Sequence, residues 1–93
     1  MDSVADFGWI WKHLTQTGLV KTGAGALHTI AVNYASGASV TIYDGVDATG
    51  RIIGVVFTNT SQPVTLVYDC KVRDGIYITI GGEGATDLTV NYI

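Results

Sequence analysis

The chain is predicted to fold as an all-β domain: an antiparallel β-sandwich or jelly-roll-like barrel of about seven strands with a short N-terminal arm. Three observations predict this. Short segments from Leu19 to Ile93 alternate apolar and polar residues with a period of two, as in Leu27-His28-Thr29-Ile30-Ala31-Val32-Asn33-Tyr34 and Asp87-Leu88-Thr89-Val90-Asn91-Tyr92. Such a period, carried by β-branched and aromatic side chains, marks strands with one face on a core. The segments recur roughly every ten residues, and glycine-, asparagine- or aspartate-bearing turns close them, which suits a sandwich better than a fold that alternates strands with helices.

The first eighteen residues differ from the rest. Ser3-Val4-Ala5-Asp6 resembles a helix start, and Phe7, Ile10, Trp11 and Leu14 fall at the i, i+3, i+4, i+7 spacing of one helix face. Phe7, Trp9 and Trp11 also alternate as in a strand, and Gly8 weakens either template. The expectation is an apolar arm over residues 1–18, irregular or briefly helical, with Thr15-Gln16-Thr17-Gly18 as the hinge into a β domain over 19–93. Strands are expected at 19–22, 26–34, 39–44, 51–57, 63–68, 70–80 and 86–92. The turns between them hold Gly23-Ala24-Gly25, Ser36-Gly37, Asp44-Gly45, Thr49-Gly50 and Gly81-Gly82-Glu83-Gly84, residues that tolerate positive φ. Asp74-Gly75 suggests a tight hairpin splitting the sixth segment in two. Pro63 opens a strand, where its missing N–H is harmless. Ile52-Ile53-Gly54-Val55-Val56-Phe57 is apolar on both faces, so it reads as a central strand, or as one with a side against another subunit.

At 93 residues the chain makes one domain with one core. Only 14% of its residues are charged, well below the roughly 25% of an ordinary soluble domain, so part of its surface is neutral and suits a protein neighbour. The net charge of −3 and five scattered basic residues, with only Lys71 and Arg73 close together, exclude a nucleic-acid footprint. No segment approaches the ~20 apolar residues that span a bilayer, and Met1 to Asp6 lacks the basic and apolar regions of a signal peptide. Folding in a cytoplasm is the resulting expectation.

Catalytic and metal chemistry find little support. Cys70, alone, permits neither an internal disulfide nor a multi-cysteine zinc site, and its place in an alternating segment reads as a structural thiol. His13 and His28 lie in different segments, and His28 shares its expected strand face with Ile30, Val32 and Tyr34. The acids Asp44, Asp47, Asp69, Asp74, Glu83 and Asp87 mostly occupy turns, where aspartate bonds its own backbone. Asp44-Gly45-Val46-Asp47 falls short of a calcium loop, and Gly81-Gly82-Glu83-Gly84 neither ends in Lys-Ser/Thr nor opens a helix. No catalytic, cofactor-binding or metal-binding residues are assigned, and an enzyme is not expected. The candidate site is an interface made of Phe7, Trp9, Ile10, Trp11 and Leu14, because tryptophan concentrates at interface hot spots; packing that closes one end of the sandwich and a platform for stacking sugars are the alternatives for Trp9 and Trp11.

From Val20 to Ile93 the chain resembles a group of small β proteins of tailed-phage and prophage genomes. The resemblance rests on Gly23-Ala24-Gly25-Ala26-Leu27-His28, Val40-Thr41-Ile42-Tyr43-Asp44-Gly45 with Ala48-Thr49-Gly50, Val64-Thr65-Leu66-Val67-Tyr68-Asp69, Gly75-Ile76-Tyr77-Ile78 and the closing Asp87 to Tyr92. Such proteins are similar to virion auxiliary components: capsid decoration or cement proteins and head fibres. The resemblance implies a non-catalytic virion protein, assembled in the host cytoplasm, that binds the major capsid protein or other virion proteins. It also implies a homo-oligomer, with a trimer suited to threefold positions of a shell. A tail, baseplate or connector component and a small carbohydrate-binding adhesion module are the alternatives.

Overall fold

In the computed structural model, which describes residues 9–35, 37–58, 63–82 and 85–93, eight strands form two four-stranded antiparallel sheets. The strands are β1 (Ile10–Leu14), β2 (Gly18–Thr22), β3 (Gly25–Ala35), β4 (Ala38–Asp44), β5 (Arg51–Thr58), β6 (Val64–Val72), β7 (Gly75–Gly82) and β8 (Thr86–Tyr92). Phe7, the Ser3–Asp6 helix start, Ser36 and the Glu83-Gly84 turn lie outside the described residues. One sheet has the order β1-β8-β3-β6 and the other β2-β7-β4-β5.

Those orders follow from one long folded ribbon. β4 pairs with β5, β3 with β6, β2 with β7 and β1 with β8, each antiparallel. The pairs alternate between the two sheets, and the added pairings β3·β8 and β4·β7 complete each sheet. Two nested Greek keys of this kind make a jelly roll. The expected all-β sandwich is therefore present, with eight strands rather than seven.

Alternation places the core. Ile30, Val32, Leu88 and Val90 from one sheet face Val40, Ile42, Ile76 and Ile78 from the other, all at most 1% exposed. Leu27, Val72, Leu14 and Val20 extend the cluster, while Tyr68, Cys70 and Tyr92 pack at its margin. Gly54 of β5 opens the space for Tyr68, since a Cβ there would come within 2.7 Å of the Tyr68 hydroxyl.

Five expectations need correction. Residues 10–14 are not an irregular or helical arm but strand β1, paired from Ile10↔Tyr92 to Leu14↔Leu88. The helix template put Trp11 and Leu14 on one face, whereas the ladder offered by β8 separates them: Leu14 is in the core and Trp11 points out. The hairpin expected at Asp74-Gly75 is instead a corner at Arg73-Asp74, because β6 and β7 lie in different sheets. The break expected near Asp69 is an irregularity inside β6, where Asp69 takes φ +45° and the pairing slips between Leu27↔Cys70 and Thr29↔Val67. That slip also moves His28 off the core face of Ile30 and Val32, by reversing the alternation after Leu27. Finally, β5 is an edge strand rather than a central one.

Candidate functional site

The two outward sheet faces differ in charge, although each exposes apolar side chains, Val67 (66%) and Trp11 (68%) among those of the β1-β8-β3-β6 face. On the β2-β7-β4-β5 sheet, residues between the buried positions of β4 and β7 project away from the core and line up in register across the strands. One row runs Leu19–Tyr77–Tyr43–Ile52, the next Thr79–Thr41–Val55 and the third Gly81–Ser39–Phe57. None of these ten residues is charged. Tyr43 and Tyr77 lean on each other with ring centroids 6.2 Å apart. Along β5 the apolar side chains are open to solvent: Ile52 is 60% exposed, Val55 46% and Phe57 82%. A phenyl ring so exposed does little for the fold that carries it.

The β1-β8-β3-β6 sheet presents polar groups that satisfy one another. Asn33 Nδ2 donates to Asp87 Oδ1 (2.8 Å) and to Thr89 Oγ1 (3.1 Å), and Asn91 Nδ2 donates to Thr29 Oγ1 (2.9 Å). His13 Nε2 bonds the same Asp87 oxygen at 2.8 Å, tying β1 to β8. The Asn33 amide and then His13 hold the Asp87 carboxyl below its ordinary value, since both interactions favour the anion. At the other end His28 pairs with Asp69, and the Trp9 indole stacks on the His28 ring at 4.6 Å and 23°. Trp11, opposite Asn91, stands 68% exposed on this face.

The expected interface set is thus divided. Ile10 and Trp11 are open to solvent on β1, Trp9 covers His28, and Phe7 lies outside the described residues. Leu14 is a correction: it faces the core opposite Leu88 and is 7% exposed, so it offers no free surface. The charge-free face was missed as a unit, although its strongest component, the doubly apolar Ile52–Phe57 run, is visible in the sequence. Cys70 packs against the core; burial, followed by the charges of Asp44 and Asp69, pushes its thiol up and keeps it protonated. Among the described residues no three His, Cys, Asp or Glu side chains gather as metal ligands.

Beyond the charge-free face, Asp44 fastens one end of the sandwich. Its carboxylate accepts the backbone N–H groups of Arg73 (2.9 Å) and Asp74 (2.8 Å), clasping the β6–β7 corner to the end of β4. Burial raises its pKa, but the N–H groups of Asp74, Arg73 and Gly75, with the Arg73 charge, outweigh that and leave it lowered. A carboxyl depressed in the folded state adds stability above its unfolded value of about 3.9, and loses it as pH falls through the lower folded value. Asp44→Asn is expected to cost about 1 kcal/mol at neutral pH and to shrink the loss of stability below about pH 4, as read from urea titrations across pH. Equal acid sensitivity in both proteins would place the effect elsewhere, for example at Asp87.

Comparison of the chain with protein-family models, with curated proteins and with solved structures returned no match. The functional reading therefore rests on the two faces themselves.

Proposed function

We propose that this chain is a structural virion protein that binds the capsid surface as a decoration or auxiliary protein, without catalysing a reaction. The observation that carries the reading is the contrast between the two faces. Exposed Ile52, Val55 and Phe57 on a face without charge are costly to leave in water and suit protein contact. The opposite face, with its Asp87, Asn33, His13 and Asn91 network, is suited to solvent. A two-faced sandwich of this kind lies naturally on a protein shell, with the β2-β7-β4-β5 face inward and the polar face outward. Jelly rolls serve in viral capsids, lectins and cupins alike, so the architecture is compatible with the reading without selecting it. On a symmetric shell of major capsid protein, repeated contacts between the protein and its neighbours turn weak individual binding into firm attachment.

Thr41 stands at the middle of the face, between Val55 and Thr79. Thr41→Lys places a charge there that docking must desolvate, and is expected to weaken cosedimentation with undecorated capsids by at least about tenfold while the melting temperature stays close to wild type. Unchanged attachment would remove this face from the contact. One observation favours a second reading: the open Trp11 indole beside Asn91 offers a stacking surface with hydrogen-bonding groups, as a sugar ligand requires. Quenching or shift of Trp11 fluorescence by a glycan, abolished in Trp11→Ala, would favour that adhesion role.

A further inference from the structure

We infer that the open edge of β5 pairs antiparallel with β5 of a second copy about a two-fold axis, joining two β2-β7-β4-β5 sheets into one eight-stranded sheet. The inference goes beyond capsid binding and is read in the absence of any shell. It starts from the four edge strands, β1 and β6 of one sheet and β2 and β5 of the other. An edge strand exposes unpaired N–H and C=O groups, and proteins protect such edges with inward-pointing charges, bulges or brevity.

Two of the four edges, β1 and β2, carry such protection, and β6 carries it in its second half. On β1, Lys12 lies opposite the buried Val90, so a charged side chain leaves the core-facing side of the edge. β6 is broken by the positive φ of Asp69 and carries the charged Lys71 in its second half. β2 has five residues, a register slip after Leu19, and Lys21. β5 shares an uncharged stretch with the first half of β6, Val64–Tyr68, but carries the most exposed side chain of any edge, Phe57 at 82%. From Ile52 to Phe57 it holds no charge and no proline. Its one irregularity, the extra residue Ile53, lies near its start, and from Gly54 to Thr58 it keeps a regular ladder with β4.

Charge and geometry point to a second copy as the occupant. The uncharged stretch gives neither an acidic nor a basic strand a counter-charge, whereas its own copy meets it without an unpaired ion. Residues opposite each other across antiparallel strands share a face, so a two-fold must fall on a residue. A two-fold at Val56, the middle of the regular stretch, sets Phe57 opposite the second copy's Val55 on the charge-free side and Thr58 opposite its Gly54. Phe57, 82% exposed in the single chain, is thereby covered. A two-fold pairing uses the β5 edge of each copy once, so it closes as an isologous dimer rather than growing into a fibre. The joined sheets also double the uncharged face.

Sedimentation equilibrium of the full chain, from the micromolar to the millimolar range, tests this. Wild type is expected to pass from one chain of 9.8 kDa to two as concentration rises, with β5 amide exchange slowing in parallel. Phe57→Lys and Val55→Lys are expected to raise the dissociation constant at least about tenfold, and Thr65→Lys, the same change on the edge strand β6, to leave it unaltered. Phe57 is exposed enough that its replacement reports on association even if Val55→Lys disturbs the fold. A monomer at every concentration would overturn the inference. So would equal sensitivity to Thr65→Lys, or dimerisation that appears only after residues 1–8 are removed. Capsid attachment by a wild-type chain that stays monomeric at every concentration would separate failure of this inference from failure of the capsid reading.

Discussion

Replacing Gly75 with alanine is expected to be among the most damaging single changes in the protein, although it adds only one methyl group. Gly75 has φ +149°, a conformation that side chains rarely adopt. A Cβ there would stand 2.5 Å from the Lys21 carbonyl oxygen and 2.8 Å from that of Gly45. Both obstacles are backbone, so neither can swing aside as a flexible side chain would. The same corner is held by Gly45 N–H donating to Gly75 O (3.2 Å), by Gly23 N–H donating to Asp74 O (3.0 Å) and by the Asp44 carboxylate. Separating these groups loosens β2, β7 and the β4–β5 connection together. A loss of about 3 kcal/mol is expected, combining backbone strain with displaced hydrogen bonds. Urea unfolding measures it, and a loss below about 0.5 kcal/mol, the usual range of surface changes, would show that the corner yields easily.

Ile78→Ala is expected to have a comparable effect for a different reason. Ile78 is fully buried at the centre of β7, between Gly18 and Ile42, and faces the opposite sheet. Truncation removes apolar burial and leaves a cavity that rigid sheets cannot collapse, at about 2–5 kcal/mol for such a residue. Against a total of about 5–15 kcal/mol, that takes a large share of the stability. Thermal melts should fall by about 8 °C or more at about 4–8 °C per kcal/mol, while Phe57→Ala on the open face should shift the melt by a few degrees at most. Equal sensitivity at the two positions would mean that Phe57 belongs to the fold and not to a contact surface.

Much of this architecture was legible in the residues because the period-two signal is local. β3, β4 and β8 follow directly from their alternation, and the glycine and aspartate turns mark where most strands stop. What escaped depends on partners distant in sequence. β1 satisfied helix and strand templates equally, and only the ladder of β8, some eighty residues away, decides between them. His28 changed faces because of a register slip against β6, which nothing within its own segment announces. The Ile52–Phe57 run was legible as apolar on two sides. An edge strand with a contact face and a central strand have the same composition, however, and strand order is set by the whole topology. The charge-free face has the same origin: Leu19, Tyr77, Tyr43 and Ile52 are scattered in sequence and meet only through three strand registers.

In the proposed role the two faces divide their work, with the charge-free one turned to the shell. Hydroxyl-radical footprinting of the protein, free and bound to capsids, distinguishes the faces, because each carries reactive aromatic side chains. Tyr43 and Tyr77 are expected to become protected on the particle while Trp11 reacts as in the free protein. Protection of Trp11 with Tyr43 and Tyr77 unchanged would turn the molecule over and remove this face from the contact.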